Sequence, residues 1–184
     1  MVGFPRSGTT LLDTILRTHS KINVIEEKPM LSRLEKNIDF CSNISELEKI
    51  SYTQAESARS FYINELKKYV ELNENKIVID KLPLNILRIP LINKIFPKSK
   101  FIIALRHPFD CILSCWMQNF RLNSGMANMV DLDRIADLYC ISMEILKLSQ
   151  ERYKLNTHRI RYEDLVSDYK ESTSNVLAFL DLKW

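Results

Sequence analysis

The sequence predicts an α/β fold, a three-layer sandwich with helices on both faces of a central parallel sheet. Three observations lead there. Two short apolar runs, at residues 76–80 and 101–105, lack the alternation of a half-exposed strand. They suit strands buried on both faces, as in a parallel sheet. Segments of helical period lie between and after them. Finally, two of only three glycines, Gly3 and Gly8, fall in the first eight residues, where a loop opens straight into a helix. Glycine permits close backbone approach and positive φ, so the special geometry is concentrated there.

The elements follow in order. Residues 10–17 read as a helix, with Leu11, Leu12, Ile15 and Leu16 on a broad apolar face. Residues 22–29 are irregular and acidic, and read as a short strand or a loop. Residues 52–72 carry Ala55, Ala58, Tyr62, Leu66 and Tyr69 at three- and four-residue steps, a helical stripe. The crossover at 83–96 is helical, with Pro90 expected to break or kink it. Pro108 starts a helix to about residue 117, since proline is tolerated in a first turn. Residues 119–130 are loop-like. A long helix at 131–153 places Leu138, Ile141, Ile145 and Leu148 on one stripe. A short strand near 158–162 and a helix at 168–180 complete the chain, and no internal repeat interrupts it.

The 184 residues fit a single domain, 1–184. A 46% apolar and 27% charged composition is ordinary for a soluble globular protein. The net charge of +3 is too mild to argue for nucleic acid or a membrane surface, but it allows a local basic pocket for a small anion. Cys41, Cys111, Cys115 and Cys140 form no C-x-x-C pair and show no zinc spacing, so they read as buried, reduced thiols. Reduced thiols favour a reducing compartment, and the expected location is cytoplasmic. No apolar run approaches the roughly 18 residues of a membrane span. Met1-Val2 runs into the glycine loop where a full strand is expected, and Leu182-Lys183-Trp184 stops just after an apolar segment. Both ends are therefore expected to be trimmed.

The loop Gly3-Phe4-Pro5-Arg6-Ser7-Gly8-Thr9-Thr10 is one residue away from the nucleotide-triphosphate pattern G-x-x-x-x-G-K-[ST]. It implies the same geometry, a strand end whose backbone amides curl into a nest before a helix N-terminus. The lysine that reaches β- and γ-phosphates is absent, and Thr9 stands in its place. Arg6 supplies the positive charge from inside the loop, in a planar fork suited to phosphate oxygens. The exchange points to an anionic ligand without a γ-phosphate.

The string Gly3 to Leu12 resembles the 5′-phosphosulfate loop of sulfotransferases that use 3′-phosphoadenosine 5′-phosphosulfate (PAPS). It is closest to the tyrosylprotein sulfotransferases and their bacterial relatives. Two further segments match in order. Arg106-His107-Pro108, with Ser114 eight residues after Arg106, resembles the family's 3′-phosphate motif. Arg161-Tyr162-Glu163-Asp164-Leu165 resembles a segment whose tyrosine lies near the nucleotide. The resemblance implies a P-loop-like sulfotransferase fold. It implies donor contacts from Arg6, Ser7, Gly8, Thr9, Thr10, Arg106, Ser114 and Tyr162.

It also implies the catalytic groups. Glu26 and Glu27 follow the first helix, at the family's spacing from Arg6. The second glutamate is the family's base, so Glu27 is expected to take the acceptor's proton. A solvated carboxylate is a weak base at neutral pH, so burial or acceptor contact must tune it. Lys81, at the end of the 76–80 run, matches the lysine that stabilises the leaving group or the transferring sulfuryl oxygens. Asp80 beside it also reads as the end of a Walker B strand, which would hold Mg²⁺. The missing P-loop lysine argues against that, and no metal is expected. None of His19, His107 or His158 sits where small-molecule sulfotransferases keep a catalytic histidine.

The resemblance also implies a basic loop near the C-terminal end of the domain that completes the 3′-phosphate site; no such loop occurs before Trp184, so the site is expected to be incomplete within residues 1–184. The expected reaction is sulfuryl transfer from PAPS to a hydroxyl on a peptide tyrosine, a sugar or a small molecule. Residues 28–43 and 119–130 are expected to wall the acceptor. A small-molecule kinase with a degenerate P-loop, or a non-catalytic nucleotide-binding domain, are the alternatives.

Overall fold

In the computed structural model, residues 1–37, 44–118, 129 and 131–184 are described. Five strands alternate with helices among them, and every strand pairing is parallel. β1 (Val2–Gly3), β4 (Lys100–Leu105) and β5 (Asn156–Arg161) form one ladder in the order β1-β4-β5. β2 (Ile22–Glu26) and β3 (Ile77–Lys81) form a second. The Met1 amino group joins them, donating to the Asp80 carbonyl oxygen at 2.7 Å. β1 therefore runs between β3 and β4.

β4 shows why the arrangement is three-layered. Its side chains alternate across the sheet. Ile102 and Ala104 pack with Leu12 and Leu16 of α1 (Thr9–Leu16) and Val176 and Leu177 of α9 (Tyr169–Phe179). Phe101 and Ile103 face the other way, onto Ile86, Ile89 and Leu146. These come from a 3₁₀ helix at Pro83–Arg88, α5 (Ile89–Ile95) and α7 (Leu132–Arg152). A further apolar cluster gathers α2 (Met30–Asn37), α4 (Tyr52–Leu66) and α5 around Ile25. α3 (Ile44–Lys49), α6 (Pro108–Trp116) and α8 (Tyr162–Ser167) complete the described helices.

Several expectations change. Residues 22–29 contain a true strand, because β2 pairs with β3 along its whole length. The helix expected at 52–72 stops at Leu66, although Ala55, Ala58, Tyr62 and Leu66 are buried as the stripe requires. Pro90 breaks the crossover cleanly, since the 3₁₀ turn ends at Arg88 and Pro90 sits in the first turn of α5. The helix expected at 168–180 forms as α9, capped by the Asp168 side chain, which accepts from the Glu171 amide, but the short helix α8 before it was not expected.

On α7 the expected stripe is misplaced. Ile141 and Leu148 are half exposed, and the buried face is Ile135, Ser142, Leu146 and Ser149. Both serines satisfy their hydroxyls locally, on the Leu138 and Ile145 carbonyls at 2.7 and 2.6 Å. That is how a polar side chain tolerates a helix interior. Of the cysteines, Cys111 and Cys115 are buried but Cys140 is exposed, and Cys41 lies outside the described residues. Burial pushes the Cys111 thiol up to about 12 and the Cys115 thiol up to about 11. No helix among the described residues is long and apolar enough to cross a membrane.

Candidate functional site: a glycine loop between two charge clusters

The carboxyl ends of all five strands meet one edge of the fold, the edge where open α/β sheets bind ligands. Gly3 pairs with Ala104, Leu105 with Arg161, and Glu26 with Lys81. The loop after β1 is thus flanked by the β2 and β3 ends on one side and the β4 and β5 ends on the other.

The loop's shape follows from its residues. A Cβ on Gly3 would lie 2.6 Å from the Ala104 carbonyl oxygen and 2.7 Å from Ser7 Oγ, so only glycine lets β1 and the loop pass this closely. Phe4 is fully buried and meets the Tyr139 ring edge-on at 5.1 Å, anchoring the turn. The Ser7 amide closes that turn on the Phe4 carbonyl at 3.1 Å, and Cys115 Sγ donates to the Pro5 carbonyl at 3.5 Å. Arg6 and Gly8 then take left-handed backbone, with φ of 69° and 94°. Such residues turn successive amides toward one point and make an anion nest. Gly8 is the N-cap of α1 and brings no side chain to it, so no capping side chain takes up the free amides of the first turn. Ser7 Oγ is buried without a hydrogen-bond partner. Thr9 is buried at the start of the helix, while Thr10 is exposed and takes the Thr14 hydroxyl on its carbonyl at 2.8 Å.

On the β4–β5 side the structure brings Arg6, Arg106, Ser114 and Tyr162 together. Arg6 Nε donates to Ser114 Oγ at 3.1 Å. Arg106 Nη1 donates to the Arg6 carbonyl at 3.3 Å, and its guanidinium lies 4.5 Å from the Tyr162 ring centroid. Asp110 Oδ2 is 3.8 Å from Arg106 Nε. Tyr162 also shapes the loop, because a Cβ on Gly8 would lie 2.5 Å from its Cδ2.

Sequence reasoning overlooked Glu163. Its Oε1 accepts the His107 amide at 2.8 Å and so joins the start of α8 to that of α6. Burial pushes its carboxyl up, but hydrogen bonds from the His107 and Glu163 amides and the charges of Arg161 and Arg106 hold it below the usual range. Its place beside Tyr162 in the matched segment was the available signal.

On the β2–β3 side, Glu27 and Lys81 meet directly. Lys81 is fully buried and donates to Glu26 Oε1 at 2.7 Å and to Glu27 Oε1 at 3.2 Å. Glu27 has left-handed backbone, φ 52°, and its amide donates to the Lys81 carbonyl at 2.8 Å. Beneath them lies Asp13, buried on α1 and gripped by Arg17. Neither residue was singled out from the sequence. Leu11, expected on the buried face of this helix, is instead 39% exposed, and Asp13 takes the buried place. The i,i+4 spacing of Asp13 and Arg17 was the legible signal. Asp80 points to the opposite face, as alternation along β3 requires. Its Oδ2 accepts the Tyr62 hydroxyl at 2.7 Å, and burial pushes its carboxyl up. A Walker B role, already disfavoured by the missing P-loop lysine, does not fit a carboxylate on the face of the sheet opposite Lys81.

A family model described as sulfotransferase family matches residues 1–184, the whole chain. The chain belongs to the sulfotransferase family. Two solved structures share its fold. The sulfotransferase domain from the curacin biosynthetic pathway gives a TM-score of 0.64 at 21% identity, covering 100% of this chain and 73% of that one. The sulfotransferase domain from the Synechococcus PCC 7002 olefin synthase gives 0.65 at 20% identity, covering 100% and 74%. Among sequence relatives, an uncharacterized protein of Aquifex aeolicus is 27% identical over 100% of this chain and 25% of its own length. The nodulation protein NoeE of Sinorhizobium fredii is 24% identical over 98% of this chain and 49% of its own. The chain thus spans a quarter and about half of these two relatives. Of the segments expected to wall the acceptor, residues 38–43, 119–128 and 130 lie outside the described residues.

Proposed function

We propose that residues 1–184 form the donor-binding and catalytic core of a sulfotransferase that moves a sulfuryl group from PAPS to an acceptor hydroxyl. The observation that carries this reading is the loop at the start of α1. It combines left-handed Arg6 and Gly8, a helix N-terminus without a side-chain cap, and the buried, unpaired Ser7 hydroxyl. These are groups that an anion of the 5′-phosphosulfate type would satisfy. Arg106 and Ser114, on the β4 side, would take the 3′-phosphate, with Tyr162 beneath the Arg106 guanidinium.

Bound PAPS supplies the sulfuryl group, whose bond to the 5′-phosphate breaks as the bond to the acceptor oxygen forms. The protein's share is positioning and charge, as in phosphoryl transfer. Glu27 takes the acceptor's proton from the β2 end. Lys81 brings an ammonium to the same edge, beside the loop. The acceptor is a peptide tyrosine, a sugar or a small molecule.

The test is thermal stabilisation by adenosine 3′,5′-bisphosphate against ATP with Mg²⁺. At a hundred times its Kd the preferred ligand adds ~2.7 kcal/mol. The bisphosphate is expected to stabilise more strongly, and Arg6→Ala and Arg106→Ala to lose that preference. Equal stabilisation by the two nucleotides, or a preference for ATP with Mg²⁺, overturns the reading.

A further inference from the structure

The carboxylate–lysine cluster holds three members that the proposed reaction does not use, Asp13, Arg17 and Glu26. Asp13 lies in the second turn of α1 and is 1% exposed. A carboxylate this deep needs compensation, and it has a cation on either side. Arg17 grips both its oxygens, with Nη2 2.9 Å from Oδ2. Lys81 Nζ stands 3.7 Å from Oδ2. Arg17 also reaches across to β2, where Nη2 donates to Glu26 Oε2 at 3.0 Å. Glu26 thus commits both oxygens, Oε1 to Lys81 and Oε2 to Arg17. Glu27 touches Lys81 through Oε1, and its side chain is 55% exposed.

The adjacent glutamates therefore have different situations. We propose that Asp13 and Arg17 are positioning residues that clamp Glu26 and Lys81, making Glu26 a strut and leaving Glu27 as the carboxylate presented to the acceptor. This rests on the sulfotransferase reading above. The clamp acts through α1. Arg17–Glu26 ties the helix to the end of β2, and Asp13–Lys81 ties it to the end of β3. The same helix carries the phosphate loop at its N-terminus, so the pair sets the distance between the donor's anion and the base. Without it, Lys81 and Glu26 regain the rotamer freedom of long side chains, and the geometry loosens.

The experiment compares Asp13→Asn, Asp13→Glu, Arg17→Gln, Glu26→Gln and Glu27→Gln with the wild type in three measurements. The first is the ¹H–¹⁵N signal of the Lys81 ammonium, assigned by its loss in Lys81→Arg. The second is calorimetric binding of adenosine 3′,5′-bisphosphate. The third is turnover of labelled PAPS with whichever of a tyrosine peptide, a sugar and a small alcohol the wild type uses. Asp13→Asn and Arg17→Gln are expected to shift or broaden the Lys81 signal. They should lower kcat about tenfold, with KM for PAPS and bisphosphate affinity within about twofold, a split expected when geometry rather than binding is lost. Asp13→Glu, which keeps the charge, recovers most of the loss. Glu26→Gln falls with this group, whereas Glu27→Gln loses roughly 10²–10⁴-fold, the scale of a general base.

An unchanged Lys81 signal in Asp13→Asn overturns the clamp, and equal losses for Glu26→Gln and Glu27→Gln overturn the strut. A wild type that neither binds the bisphosphate nor turns over PAPS overturns the functional reading instead, while the Lys81 signal still decides the clamp.

Discussion

The two charge clusters beside the glycine loop are built on opposite plans. On the β2–β3 side, two cations and three carboxylates are all paired with one another around a buried centre. Lys81 and Asp13 have side chains 0% and 2% exposed, with Arg17, Glu26 and Glu27 around them. On the β4–β5 side, the cations are incompletely matched. Arg6 is exposed and holds a neutral serine, and Arg106 stacks on a ring with its nearest carboxylate oxygen 3.8 Å away. A cluster whose cations are all paired within the fold keeps its geometry whether or not a ligand comes. A cluster with surplus positive charge is finished by an anion. The first should therefore reveal itself through stability, the second through affinity.

The largest expected effect tests the paired side. Lys81→Met leaves Asp13 and Glu26 short of a cation, and removing one partner of a buried pair costs about 3 kcal/mol or more. Urea unfolding should show it as a fall in midpoint with unchanged slope. Arg106→Ala should do the reverse. Its stability stays within about 1 kcal/mol of the wild type, while bisphosphate binding weakens roughly 10- to 100-fold, the worth of a charged hydrogen bond. Calorimetry checks the second half. A variant that loses stability and affinity together on either side would dissolve the contrast.

The loop itself comes next. Gly8→Ala places a Cβ 2.5 Å from Tyr162 Cδ2 at a φ of 94°, and left-handed strain with a clash should destabilise by about 1–3 kcal/mol. Tyr162→Ala in the same chain should recover the steric part but not the backbone part, as read by thermal unfolding.

The smallest effect concerns pH. Glu163 is held below the usual carboxylate range in the folded protein. Its contribution is fully present above the unfolded value of about 4.3 and is lost as pH falls through the lower folded value. With its side chain 37% exposed, solvent screens the effect to a fraction of a kcal/mol. Glu163→Gln should flatten the acid limb of a stability–pH curve below about pH 4.

Much of this was legible from the residues alone. Gly3 and Gly8 announced a backbone that other residues could not follow, and the structure shows close approach at one and positive φ at the other. The apolar runs at 76–80 and 101–105 fell on β3 and β4 because a strand covered on both faces has no polar side to show. What escaped had physical reasons. Asp13 was hidden because a charged residue beside leucines reads as the outward edge of an apolar stripe, yet a lysine from another element makes its burial tolerable. Ser142 and Ser149 were hidden because their hydroxyls bond to their own helix, so side-chain polarity misreported their side. In both cases the deciding partner was invisible to periodicity, a residue on a distant strand or a carbonyl of the backbone.

The contact between Arg6 and Ser114 spans 108 positions of the chain, and this has a consequence for the protein's birth. At about 5–20 residues per second, the ribosome releases the loop on the order of ten seconds before it makes the helix that holds Arg6. Tyr162, which packs on Gly8, arrives later still. During that interval the nest has neither its parallel neighbour strand nor its stacking ring. The loop is thus made well before the elements that finish it, and a cellular anion or a chaperone that meets the nascent chain finds an arginine-bearing loop before it finds a site.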